Sequence, residues 1–87
     1  HILFVEDDTF IRKVMRTILE GNYRVTTCTN GIEALGWLEE GNDPDVIITD
    51  LTMPFLNGFD LIRQLRSSAL FGHVPIIVLS TSDDSPT

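Results

Sequence analysis

Four residues carry side chains able to do chemistry, and each stands where an apolar run ends. Glu6 and Asp7 follow Ile2-Leu3-Phe4-Val5, Asp50 follows Val46-Ile47-Ile48-Thr49, and Ser80 follows Ile76-Ile77-Val78-Leu79. Carboxylates gathered at one place repel one another, and the usual remedies are a raised pKa or a bound cation. An all-oxygen donor set with room for water suits Mg²⁺ or Mn²⁺ better than zinc. Singly, each residue has a plainer reading: Asp7 as a helix cap or a solvated acid, Asp50 as the start of a turn, Ser80 as a loop hydroxyl. Their recurrence at the ends of successive apolar runs is what points to a site.

The elements that must bring them together can be read from periodicity. Ile2 to Val5 is continuously apolar and bounded by acids, which suits a strand buried on both faces. After a cap at Asp8 or Thr9, Ile11, Val14, Met15, Ile18 and Leu19 recur at helical spacing as far as Gly21-Asn22. Arg12, Lys13 and Arg16 fall on the wetter side of that helix, as a solvated charged face or a docking surface. Tyr23 to Cys28 reads as a short strand. Asn30 caps a second helix carrying Ile32, Ala34, Leu35 and Leu38, ended by Gly41-Asn42-Asp43-Pro44. Val46 to Thr49 is a third strand, Gly58 opens a helix with Leu61, Ile62 and Leu65 on one face, and Pro75 leads into a fourth strand.

This β-α-β-α-β-α-β order, with strands too apolar to face water, calls for a parallel sheet covered by helices on both faces. Right-handed crossovers then favour the doubly wound α/β sheet, whose ligands bind outside the carboxyl ends of the strands. If the first and third strands are neighbours about 4.8 Å apart, Glu6, Asp7 and Asp50 share one crevice.

Composition narrows the function classes. A chain of 87 residues is one domain at most, and 43 % hydrophobic with 22 % charged residues is the balance of a soluble globular protein. No apolar run reaches bilayer length and no signal segment is recognisable, so a cytoplasmic protein without membrane contact is expected. A net charge of −7 argues against nucleic-acid binding by this chain. Cys28, the single cysteine, excludes an internal disulfide and a thiolate zinc site, and His1 and His73 stand alone and read as solvated or terminal. The GxxxxGK, GxSxG and HExxH signatures are absent.

The stretches "ILFVEDD", "NGIEAL", "PDVIITDLTMPFLNGFDLIRQLR" and "VPIIVLSTSDD" together resemble the receiver domain of bacterial two-component response regulators. Asp-x-x-Met-Pro-x-x-x-Gly, from Asp50 to Gly58, is the most specific piece. The resemblance implies a flavodoxin-like sheet of strand order 2-1-3-4. Residues 1–87 would be an incomplete receiver domain, stopping before the family's fifth strand, the Lys after it and the last two helices. It implies that Asp50 accepts a phosphoryl group from a sensor histidine kinase or phosphotransfer protein. Glu6, Asp7, Asp50 and the backbone carbonyl of Thr52 would hold Mg²⁺ or Mn²⁺. Ser80 would bond a phosphoryl oxygen, Pro54 and Gly58 would shape the loop beneath the site, and Thr52, Thr81 and Ser82 would tune access and hydrolysis. Phosphorylation would switch an output domain or effector outside this chain, and the exposed fourth-strand edge suggests a dimer or swapped assembly.

Two other readings stand beside this one. A receiver fold that works only as an interaction module fits the missing Lys and the bulk of Thr81. An Asp-nucleophile phosphatase of the haloacid-dehalogenase type would need a second Asp where Thr52 stands. The chain is therefore expected to be a regulatory phosphoacceptor rather than an enzyme acting on other substrates.

Overall fold

Strands and helices alternate strictly in the computed structural model, which describes residues 1–51 and 56–79. The elements are β1 (Ile2–Val5), α1 (Thr9–Leu19), β2 (Val25–Cys28), α2 (Gly31–Glu39), β3 (Val46–Asp50), α3 (Gly58–Arg66) and β4 (Ile76–Leu79). The strands form one sheet in the order β2-β1-β3-β4 with every pair parallel. This is the doubly wound arrangement expected from the alternation.

Side chains alternate across the sheet and divide the core in two. Leu3, Val5 and Ile47 point to the face covered by α2 and α3, where they meet Ala34, Leu38, Leu61 and Leu65. Ile2, Phe4 and Ile48 point the other way, against Ile11, Met15 and Leu19 of α1. Both faces of β1 are thus buried, which explains a run with no polar residue.

Each helix starts on a side-chain cap. Asp8 accepts a hydrogen bond from the Ile11 N–H at 3.0 Å, Asn30 from the Glu33 N–H at 2.8 Å and Asn57 from the Asp60 N–H at 3.0 Å. Beyond α2 the chain reverses through Gly41, whose φ of 101° lies in the left-handed region that glycine adopts without a Cβ penalty. No helix among the described residues is long and apolar enough to cross a membrane.

Several expectations are corrected. Of the five apolar positions assigned to the buried stripe of α1, Ile11, Met15 and Leu19 pack on the sheet, while Val14 and Ile18 are exposed together with Phe10. The helix rests on the sheet along its 11–15–19 row, which turns the adjoining 10–14–18 row outward. Ile32 of α2 is likewise exposed. β2 begins at Val25 rather than at Tyr23, because the Tyr23 N–H is used to donate to the Leu19 carbonyl as the chain leaves α1. The strands read as too apolar to face water, yet Ile77 and Val78 of β4 are 50 % and 41 % exposed. Among the described residues β4 pairs with β3 alone and is the outer strand expected of it.

Candidate functional site

The site is assembled by strand register. Val5 of β1 is paired with Thr49 of β3, so the next residues along each strand, Glu6 and Asp50, emerge side by side, with Asp7 one residue further. One carboxylate oxygen from each of Glu6, Asp7 and Asp50 lies within 4.8 Å of the others. Glu6 and Asp50 are buried, at 1 % and 3 % exposure, whereas Asp7 is open to solvent. The trio is a crevice with two anionic walls and one accessible ligand.

Its electrostatics are unfavourable as it stands. Two ionised carboxylates with oxygens that close repel by roughly 3 kcal/mol at an effective dielectric near 20, and by less where Asp7 meets solvent. Burial, followed by the charge of Asp50 and the neighbouring Asp7, raises the Glu6 carboxyl above its ordinary value of 4.5, with the Asp8 N–H opposing. That N–H donates to Glu6 Oε2 at 3.1 Å. Glu6 Oε1 is buried without a hydrogen-bond partner among the described residues. A buried acceptor of this kind is costly unless something positive meets it. An orphan carboxylate oxygen, two further carboxylates and no nitrogen or sulfur donor in the trio fit a small, hard divalent cation. Glu6, Asp7 and Asp50 are the described residues able to hold it.

The chain below the site is fixed by two close approaches. The Gly58 N–H donates to the Leu51 carbonyl at 3.1 Å, and a Cβ at Gly58 would strike the Asp50 carbonyl oxygen and lie 2.8 Å from the Leu51 Cα. Residue 58 is therefore glycine because α3 starts against the main chain of Asp50. Gly31, at the start of α2, donates its N–H to the Leu56 carbonyl at 3.0 Å, and a Cβ there would lie 2.9 Å from the Leu56 Cβ. The Thr49 hydroxyl donates to the Asp50 carbonyl at 2.9 Å.

The structure thus brings Glu6, Asp7 and Asp50 together and sets Gly58 directly beneath. Thr52, Pro54, Ser80, Thr81 and Ser82 lie outside the described residues. Leu79, the residue before Ser80, pairs with Asp50. Sequence reasoning missed Gly31, for which the signal available was a glycine immediately after a helix cap. It also misjudged Arg12, whose guanidinium bonds the main chain beside the trio rather than joining a solvated face.

Residues 2–87 match the family model described as the response regulator receiver domain. The chain is 39 % identical over 88 residues to the two-component response regulator ORR3 of Oryza sativa subsp. indica, covering 100 % of this chain and 66 % of that protein. Identity to chemotaxis protein CheY1 of Helicobacter pylori is 35 % over 82 residues, covering 92 % of this chain and 66 % of the relative. The signal receiver domain of a signal transduction histidine kinase from Syntrophus aciditrophicus has the same fold at a TM-score of 0.87 and 34 % identity, over 97 % of this chain and 64 % of that one. The chain spans just under two thirds of the length of each of these three. A parallel sheet ordered 2-1-3-4, acids converging at its carboxyl edge and a family match along almost its whole length lead to one conclusion: this chain belongs to the response regulator receiver domain family.

Proposed function

We propose that the chain is the phosphoacceptor module of a two-component signalling system, with Asp50 as the residue modified. The observation that carries this reading is the approach of the Glu6, Asp7 and Asp50 carboxylate oxygens to within 4.8 Å of one another at the carboxyl edge of the sheet. Phosphoryl transfer asks a protein mainly for a positioned nucleophile and for positive charge near the oxygens of the moving group. A bound Mg²⁺ or Mn²⁺ supplies that charge. Asp50 offers the nucleophile: one of its oxygens forms a bond to phosphorus while the phosphorus–nitrogen bond of a phosphohistidine breaks and its electron pair returns to the imidazole. Asp7, exposed, and Glu6, buried, are the cation's ligands, the latter directly or through water.

The supporting parts follow from the same reading. Gly58 keeps the main chain of Asp50 in place by its close approach. The Thr52 carbonyl completes the metal ligands, Pro54 shapes the loop, Ser80 bonds the phosphoryl group, and Thr81 and Ser82 with Thr52 tune its lifetime. The phosphodonor is a sensor histidine kinase or a phosphotransfer protein in the cytoplasm, and the readout is an output domain or effector. The chain is a regulatory acceptor rather than an enzyme with external substrates.

The test is incubation of the full chain with Mg²⁺ and acetyl phosphate, read by intact mass. One phosphoryl group is expected on the parent and none on Asp50→Asn. No incorporation would turn the reading toward a non-switching interaction module, and equal incorporation into Asp50→Asn would move the site elsewhere.

A further inference from the structure

We propose that Arg12 is a positioning residue for the Glu6 and Asp7 carboxylates, an inference that rests on reading the acidic trio as a cation site. Its Nη1 donates to the Glu6 carbonyl at 2.9 Å and reaches the Asp7 carbonyl at 3.4 Å. Two successive peptide groups, those from which the metal-ligating side chains depart, are thereby tied to one guanidinium. Arg12 is half-buried while Lys13 and Arg16 on the same helix are exposed.

A cation in the first turn of a helix opposes the positive end of the helix dipole, and at α1 the Asp8 cap offsets that dipole. The tip of the Arg12 guanidinium is committed to two main-chain carbonyls. The remaining contacts of the turn complete a closed set: the Glu6 N–H donates to the Cys28 carbonyl at 3.0 Å, the Asp8 N–H to Glu6 Oε2 at 3.1 Å, and the Arg12 N–H to the Asp8 carbonyl at 2.9 Å. The Glu6-Asp7-Asp8 turn is thus held from β2 on one side and α1 on the other. Supporting contacts of this kind set ligand orientation, and their loss typically costs a metal site about 10–100-fold in affinity.

Charge and position make opposite demands here. A bystander cation near three carboxylates weakens the binding of a second cation, so removing it would tighten binding. Removing a positioning residue does the reverse.

The experiment titrates the full chain with Mn²⁺ alone, following the free ion by electron paramagnetic resonance, for the parent, Arg12→Met, Arg12→Lys, Lys13→Met and Asp7→Asn. Arg12→Met is expected to weaken binding by about 10-fold or more, and Lys13→Met, which removes the same charge one residue away, to leave it within about twofold. Phosphorylation of Arg12→Met by acetyl phosphate should return toward the parent rate at saturating Mn²⁺, a recovery that general damage would not give. Circular dichroism checks the fold. Should Arg12→Met not fold, Arg12→Lys, which keeps the charge but loses the fork, carries the comparison with an expected loss of about threefold. If the parent does not bind Mn²⁺, or Asp7→Asn binds as well, the cation-site reading fails and the role of Arg12 with it. If the parent binds, Asp7→Asn does not and the Arg12 variants match Lys13→Met, the positioning role alone is overturned.

Discussion

Gly58 meets the main chain of Asp50 so closely that a methyl group on its Cα would collide with the Asp50 carbonyl oxygen. The neighbour is backbone at the end of a buried strand and cannot swing aside as a side-chain tip would. Gly58→Ala is therefore expected to destabilise the chain by about 1–3 kcal/mol, the range for overpacking. Gly36, in the middle of α2, has nothing within 4 Å of the same added atom. Gly36→Ala should stabilise by about 0.5–1 kcal/mol through helix propensity. Urea midpoints of the two variants should move in opposite directions, and equal shifts would contradict the close approach.

Glu6 ties stability to pH in the metal-free protein. Burial, then Asp50 and Asp7, raise its carboxyl above 4.5 in the fold, so over that window the folded state holds a proton that the unfolded chain has released. Its contribution is complete below 4.5 and is lost as pH rises through the raised value. Glu6→Gln has no such proton to lose and should flatten this decline, gaining stability over the parent at neutral pH while binding Mn²⁺ more weakly. Urea unfolding from roughly pH 4 to 8 checks the slope; parallel curves for parent and variant would exclude Glu6 as its source.

Cys28 should behave as an inert core residue. It is 3 % exposed, and burial with a smaller contribution from Glu33 pushes its thiol from 9.0 up to about 11. The thiolate is the reactive form, so labelling by a disulfide reagent at neutral pH should be slow in the fold and fast in urea. The stabilising effect of keeping the thiol neutral holds below 9.0 and disappears as pH climbs through about 11. Cys28→Val should remove that alkaline decline. Rapid labelling of the native chain would contradict the burial.

The outer strand provides a test of association. Ile77 is half exposed on β4, which has no partner beyond β3 among the described residues. Apolar outer strands pair with other chains, and a lysine on such a strand is a common way of preventing it. Sedimentation velocity should show the parent associating as concentration rises and Ile77→Lys remaining monomeric. Undiminished association of the variant would place the contact elsewhere, with the exposed Phe10–Val14–Ile18 row of α1 the next surface to substitute.

The central strands β1 and β3 were legible in the sequence because they are buried on both faces, leaving unbroken apolar runs such as Ile2–Val5 and marking the acids that follow them. Strand ends placed Glu6, Asp7 and Asp50 in one crevice only on the condition that β1 and β3 are neighbours, an order that the family resemblance implied and that the parallel pairing of β1 with β3 bears out. Helix faces were less legible. Helical spacing marks Ile11, Val14, Met15, Ile18 and Leu19 alike, and only the seating of α1 on the sheet separates the rows. Arg12 was hidden for a related reason: a long cationic side chain at a helix surface looks solvated unless its tip is known, and the carbonyls it meets are invisible in a list of residue types. Gly31 was hidden because its partner, Leu56, lies 25 residues away and the contact is made by main chain.

The strand that carries Asp50 has little slack. β3 is hydrogen-bonded along both edges, to β1 and β4, and four of its five residues are buried. Under the proposed modification, charge added at its tip would press on an anvil rather than a spring, so a reporter placed within the sheet is expected to register little of it.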